Sequence, residues 1–190
     1  MKTGSPGAAE FDIRAVRRAQ LIDWLLLDVD GVLTDGRLYY SGSGEALKVF
    51  HVRDGLGMQL ARRAGVRVGL LSSRRSAALG RRAAELDLDA VMMGRDDKLR
   101  SYNSFLTAHA TRPERVAYIG DDLPDLPVIH RAGLSFCPAD AVPEVRSAVD
   151  RVLGSPGGQG AVREAVEWLL RARGSWESLV AQWSGASRGG

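Results

Sequence analysis

Cysteine is nearly absent, with Cys137 alone among 190 residues. No internal disulfide can form, which fits a reducing compartment. Beside Leu134 and Phe136 this thiol reads as a packed apolar group, not a nucleophile. Long hydrophobic runs are missing too. The N-terminus offers Gly4, Ser5, Pro6 and Gly7 and then charged residues, where a secretory signal would be apolar. No run approaches the roughly 20 apolar residues that cross a bilayer. The expected location is therefore cytoplasmic, with no membrane partner. There is no internal repeat, no P-loop and no dinucleotide glycine fingerprint. Nor is there a long block of one charge. The net charge is +3, and Arg17, Arg18, Arg62, Arg63, Arg81 and Arg82 are spread along helical stretches. They read as solvated helix faces. With no aromatic residues interleaved among the basic ones, no nucleic-acid partner is expected.

What is present suits one domain of ordinary size. Hydrophobic residues make up 45% of the chain and charged residues 26%. The first eight residues read as a flexible leader and residues 9–20 as a short basic helix. Trp24–Leu27 is an apolar run that halts at acidic residues and a glycine, as a buried parallel strand does at the edge of a site. Residues 38–40 and 47–50, flanking Ser41-Gly42-Ser43-Gly44-Glu45, predict a β-hairpin. Helices are predicted over 55–64, 76–86, 99–109 and 161–173, and strands over 66–71, 90–93, 116–119, 134–136 and 151–153. Gly157-Gly158-Gln159-Gly160 reads as a flexible break. This alternation predicts an α/β fold, a Rossmann-like parallel sheet with helices on both faces plus the hairpin insertion. Ligands of such sheets bind beyond the carboxyl ends of the strands. The division expected is 1–20 for leader and short helix, 21–173 for the main domain and 174–190 for a C-terminal tail. Trp176 and Trp183 in that tail either pack on the domain or reach a neighbouring subunit.

The chemistry-bearing residues sit at the strand ends. In Asp28-Val29-Asp30-Gly31 two carboxylates stand two residues apart just past a buried strand, and extended backbone turns alternate residues the same way. Like charges this close favour an intervening cation, and such oxygen ligands suit Mg²⁺. Gly31 permits a sharp turn. Ser72-Ser73-Arg74 follows the next strand. A hydroxyl there either holds a phosphoryl oxygen or caps a helix. Lys98 opens a predicted helix, where a cation is disfavoured unless an anion is near; a solvated lysine is the plainer alternative. Gly120-Asp121-Asp122-Leu123-Pro124-Asp125 places three acids at a third strand end.

In order, spacing and strand context these four elements are similar to the signature of the haloacid dehalogenase superfamily. The resemblance implies that Asp28 attacks phosphorus to form an aspartyl-phosphate and that Asp30 is the general acid and base. It implies that Ser72 and Lys98 steady the transferring phosphoryl group. Mg²⁺ is expected on Asp28, the backbone carbonyl of Asp30, and Asp121, with Asp122 and Asp125 supporting those ligands from behind. Neither interval, 28–72 nor 72–98, has room for a cap domain. More closely, the chain resembles 3-deoxy-D-manno-octulosonate 8-phosphate phosphatases over about residues 25–170. The matching stretches are DVDGVLTDG (28–36), GEALKVF (44–50), VRDG (52–55), VAYIGDDLPDLPV (116–128) and GAVRE (160–164). That implies a phosphorylated sugar acid as substrate and a homotetramer with hairpin and C-terminal contacts. It places substrate contacts at His51, Val52, Arg53, Asp54, Gly55, Gln59, Arg74, Arg82 and Lys98, the arginines matching carboxylate and phosphate. Three departures from that family's pattern stand out: His51 for Asn, Ser72-Ser73 for Thr-Gly, and Gln159 for Arg. The first and last bear on sugar recognition; the second keeps the hydroxyl.

Other readings make different demands. A phosphatase of nine-carbon sialic-acid-type sugar phosphates can carry an acid where Arg74 stands. A receiver-type domain needs an aspartate where Ser72 stands. A non-catalytic assembly module of this fold would have lost Asp28 or Asp30. A nucleic-acid 3′-phosphatase would suit the open site, but lacks the aromatic-basic interleaving.

Overall fold

The structure is a computed structural model that describes residues 13–183. The expected leader, the first residues of the expected N-terminal helix and the end of the expected tail lie outside the described residues. Along the chain run α1 (Ile13–Ala19), β1 (Trp24–Leu27), β2 (Tyr39–Ser41), β3 (Gly44–Leu47), α2 (Val52–Arg63), β4 (Arg67–Ser72), α3 (Ala77–Glu85) and β5 (Ala90–Met93). They continue with α4 (Lys98–Ala108), β6 (Val116–Ile119), α5 (Leu126–Ile129), β7 (Leu134–Cys137), α6 (Pro143–Ala148), β8 (Arg151–Val152), α7 (Ala161–Ala172) and α8 (Trp176–Trp183).

Six strands form a parallel sheet in the order β5-β4-β1-β6-β7-β8, and β2 and β3 pair separately as an antiparallel hairpin. The central strands are apolar throughout because both faces are covered. Leu25 and Leu27 of β1 and Ala117 and Ile119 of β6 face the layer of α1, α2, α3, α7 and α8. Trp24 and Leu26, with Val116 and Tyr118, face α4, α5 and α6. The two-residue period of the strand thus sorts one apolar run into two cores. From β1 the chain passes to β4 on one side and later returns to β6 on the other, which opens a crevice at the carboxyl end of β1. Leu27 is level with Leu70 and with Ile119, so Asp28, Leu71 and Gly120 stand at one height, and β4 runs one residue further to Ser72.

Several boundaries differ from expectation. The hairpin turns through Gly42 and Ser43 alone, with Ser41 paired to Gly44, and Glu45 belongs to β3 instead of to the loop. Helix α2 starts three residues early because His51 caps it, its Nδ1 accepting from Arg53 N–H at 3.3 Å. Histidine is not among the favoured capping residues. A 3₁₀ turn (Leu123–Asp125), α5 and α6 went unanticipated. Each is too short to show a period and carries a proline in its first turn, where the missing N–H costs nothing. The expected flexible break at 157–160 is in fact packed tightly on the loop after β1. Gly158 N–H donates to Val32 O at 3.0 Å, and a Cβ on Gly157 would lie 1.9 Å from Gly31 O. Glycine serves close approach there, not freedom. Beyond it, Trp176 is buried in the core while Trp183 is exposed, with the Arg63 guanidinium 5.3 Å from its ring centre. No helix among the described residues is long and apolar enough to cross a membrane.

Candidate active site

The loops after β1, β4 and β6 and the start of α4 enclose a cleft of about 270 Å³ lined by Asp28, Asp30, Arg74, Lys98, Asp121 and Asp122, among others. Asp28 is held by its backbone, whose N–H donates to Ile119 O at 2.9 Å and so prolongs the sheet by one residue. Lys98 is the first residue of α4, capped by Asp97, whose carboxylate accepts from Arg100 N–H at 2.8 Å. Its ammonium turns inward, 3.0 Å from Asp28 Oδ2 and 2.6 Å from Asp125 Oδ1. Asp125 has no exposed surface and accepts from four donors. These are Lys98, the Tyr118 hydroxyl at 2.6 Å, and the backbone N–H groups of Asp121 and Asp122 at 3.1 and 3.2 Å. Asp122, by contrast, is exposed and caps the 3₁₀ turn.

Three carboxylates, Asp28, Asp121 and Asp125, each bring an oxygen within 4.8 Å of the others. Both oxygens of Asp125 are already occupied by hydrogen bonds. Asp121 Oδ1, however, is buried with no hydrogen-bond partner among the described residues, the state of a group that still lacks a ligand. The backbone opposite allows close approach: Gly31, at φ +89°, would place any Cβ 2.0 Å from Asp121 Oδ2. The donor set is all oxygen and carries more negative charge than Lys98 neutralises, which fits a hard divalent cation such as Mg²⁺. Burial, then the Asp125 charge, raises Asp28 to about 7 against the pull of Lys98. Burial, then the charges of Asp28 and Asp125, raises Asp121 to about 8. Burial works to lower Lys98, but the two carboxylates outweigh it and leave its pKa raised.

The remaining candidates divide. Ser72 is buried at the end of β4, and its hydroxyl exchanges hydrogen bonds with the Arg74 backbone, both at 3.2 Å. It caps no helix; Ser76 caps α3, accepting from Leu79 N–H at 3.1 Å. His51, Asp54, Gly55 and Arg82 border a separate narrow crevice between α2 and α3. Asp54 is buried and accepts from Gly160 and Arg163 N–H at 3.3 and 2.8 Å, so its carboxylate anchors the start of α7. Val52 and Arg53 are exposed and Gln59 is half-buried on the same helix.

Residues 86–165 match the family of haloacid dehalogenase-like hydrolases. The chain is 43% identical over 158 residues to 3-deoxy-D-manno-octulosonate 8-phosphate phosphatase of Haemophilus influenzae, spanning 83% of this chain and 88% of that protein. It is 40% identical to the Escherichia coli K12 enzyme of the same name over 167 residues, 88% of this chain and 89% of that one. The chain belongs to the 3-deoxy-D-manno-octulosonate 8-phosphate phosphatase family. Among solved structures, the phosphatase of that name from Moraxella catarrhalis, in complex with magnesium, phosphate and the sugar acid, is 34% identical. It superposes with a TM-score of 0.86, over 89% of this chain and 97% of that one. The cobalt-bound Haemophilus influenzae phosphatase gives 0.82, with 43% identity over 84% and 93% of the two chains.

As a phosphatase of this family the protein is a Mg²⁺-dependent phosphomonoesterase, and the raised carboxylates tie its stability to metal and pH. Folded Asp28 and Asp121 keep protons that the unfolded chain, with ordinary values near 3.8, has released. The metal-free fold is therefore expected to lose stability as pH climbs from about 4 to about 8. Mg²⁺, which binds the ionised forms, should raise the melting temperature more at about pH 8 than at about pH 5.5. Thermal melts with chelator and with Mg²⁺ check this, and a magnesium shift that stays flat with pH would refute the coupling.

Sequence reasoning missed part of this phosphatase site. Tyr118 falls in the strand predicted over 116–119 with no role of its own, yet its hydroxyl donates to Asp125. The hairpin brings Tyr40 to Arg74 and Lys48 to Asp30. Glu45 of the same hairpin accepts from the Ser76 hydroxyl. An acid, a lysine and an aromatic clustered in one short hairpin are the only hint the sequence offered.

Proposed function

We propose that the protein hydrolyses 3-deoxy-D-manno-octulosonate 8-phosphate to the free sugar acid and phosphate, in the cytoplasm, as a step in lipopolysaccharide precursor synthesis. The observation that carries the mechanism is the pairing of buried Asp28 with Lys98 at 3.0 Å, beside an Asp121 oxygen that lacks a partner. Asp28 attacks phosphorus in line; the ester P–O bond breaks, and the departing sugar oxygen takes a proton from Asp30. Asp30 then removes a proton from the water that releases phosphate from Asp28. Lys98 carries positive charge to the phosphoryl oxygens, and Ser72 supports the loop that faces them. Asp28, the Asp30 carbonyl and Asp121 would hold Mg²⁺, which when bound offsets negative charge on the phosphoryl group. Asp125 holds Lys98 and the loop after β6 in place, with Asp122 as its cap. Arg74, in the cleft, is assigned the sugar carboxylate. The further contacts assigned to His51, Val52, Arg53, Gly55, Gln59 and Arg82 lie on or beside α2 and α3, apart from the cleft in this single chain, and Asp54 ties α2 to the start of α7.

No cap domain covers the cleft among the described residues, and a further element is needed to exclude water. Leu38, Tyr40, Leu47, Val49 and Val52 are exposed apolar residues on or beside the hairpin. Such a patch supports a homotetramer assembled through the hairpins, with the C-terminal segment serving a neighbouring site.

The test is Mg²⁺-dependent phosphate release across a panel. It includes octulosonate 8-phosphate, nine-carbon sugar-acid 9-phosphates, hexose 6-phosphates and a 3′-phosphorylated oligonucleotide. The expected result is a preference of at least about 100-fold in kcat/KM for the eight-carbon acid, lost with chelator. A nine-carbon preference would reassign the substrate and point to His51 and Gln159; release from no substrate would sink the enzyme.

A further inference from the structure

Lys48 follows β3 at the foot of the hairpin, and its neighbours Leu47 and Val49 are exposed. Its own side chain is only 5% exposed. The ammonium bonds Asp30 Oδ1 and lies 3.7 Å from Glu45 Oε2. Glu45 in turn accepts from Ser76, the cap of α3. An ammonium withdrawn from water is costly unless paired, and the apolar stem of a lysine ordinarily lets its head reach solvent. Here the head turns inward, to the carboxylate assigned the proton transfers.

Asp30 has little else to hold it. It sits between the end of β1 and Gly31, where the backbone turns to φ +89°. Its side chain is 21% exposed, and Lys48 is its one side-chain hydrogen-bond partner among the described residues. We propose that Lys48 is a positioning residue for Asp30, anchoring one carboxyl oxygen so that the other faces the departing sugar oxygen. The inference rests on the phosphatase reading above. The site then has two inward lysines with matching tasks, Lys98 on the nucleophile and Lys48 on the proton donor. A chain of contacts from α3 through Ser76 and Glu45 carries the rigidity of the main domain to Asp30. The balance of the step is unchanged. Asp28 bonds phosphorus, the electron pair of the broken P–O bond goes to the sugar oxygen, and the Asp30 proton follows it.

Leaving-group chemistry separates positioning from structure. A sugar alkoxide needs a proton to depart; p-nitrophenolate does not. The ratio kcat/KM reports steps only through the first irreversible bond cleavage, so later hydrolysis of the aspartyl-phosphate does not enter. K48M keeps the stem and removes the ammonium. It is expected to lower kcat/KM for the sugar phosphate by about 100-fold. The same value for p-nitrophenyl phosphate should stay within about 3-fold, and K48R should recover most of the loss, for which a guanidinium suffices to anchor one oxygen. Equal losses on both substrates would assign Lys48 to phosphate binding or folding and overturn the proposal. So would an active wild type that K48M leaves unchanged. A wild type inactive on both substrates would instead remove the phosphatase reading, and this inference with it.

Discussion

Asp28→Asn is expected to reduce kcat/KM by at least about 10⁴-fold while making the metal-free protein more stable at alkaline pH. The loss follows from chemistry, since an amide oxygen cannot form a stable anhydride with phosphorus. The fold should survive because residue 28 is held by its backbone bond to Ile119, which the substitution leaves alone. The gain in stability follows from burial. Ionised Asp28 is disfavoured by its surroundings, first by desolvation and then by Asp125, with a pKa of about 7. Between about pH 4 and about pH 7 the native carboxyl is protonated while the unfolded one is ionised, so the wild type loses stability progressively over that range and the amide does not. Above it the wild type bears a charge its site disfavours, and the amide does not. The amide also leaves Lys98 with one carboxylate instead of two, which takes back part of the benefit. A net gain of about 1–2 kcal/mol, roughly 2–8 °C in melting temperature, is expected near pH 8 in chelator and should shrink as pH falls, vanishing near pH 4. Steady-state kinetics and melts at the two pH values read both halves. A variant that is inactive but no more stable at high pH would mean that the cluster is better solvated than its burial implies.

How much of this was visible in the residues depends on how each one works. Strand ends were legible because a run such as Trp24–Leu27 stops abruptly at charge, and the parallel sheet followed from alternation. The acids of the cleft were legible because they lie immediately past those ends, where local sequence fixes their position. Asp125 was not separable from Asp122 by sequence. Both are acids of one short motif, and only the turn of Leu123–Asp125 buries one and exposes the other. Residues acting across the fold were illegible for the same reason. Lys48 meets Asp30 from 18 positions away, and Asp54 meets Arg163 from 109. The glycines at 157 and 158 looked like slack because local pattern records their flexibility and cannot record the backbone of Gly31 and Thr34 pressed against them. Short elements such as α5 and α6 fell below the length at which periodicity can speak.

The buried member of that acidic pair carries the second large effect. Asp125→Ala is expected to destabilise the protein by about 3–5 kcal/mol, where Asp122→Ala costs about 1. Deleting the Asp125 carboxylate strands four donors at a point with no access to water: the Lys98 ammonium, the Tyr118 hydroxyl and two backbone N–H groups. Lys98 would keep only Asp28, and the two would close into a simple ion pair that blunts the nucleophile and misplaces the ammonium. Activity should therefore fall by at least about 100-fold even in the fraction that remains folded. Asparagine cannot repair the site. One of its two positions would present an NH₂ either to Lys98 and the Tyr118 hydroxyl or to the N–H groups of Asp121 and Asp122, setting donor against donor. Asp125→Asn should thus sit close to Asp125→Ala in stability, unlike the usual mildness of that exchange, whereas Asp122 points to solvent and tolerates either replacement. Denaturant unfolding of the four variants, read beside their kcat/KM, gives the comparison. If Asp125→Asn were as stable as wild type, the four-donor arrangement would not be what holds Lys98 against Asp28.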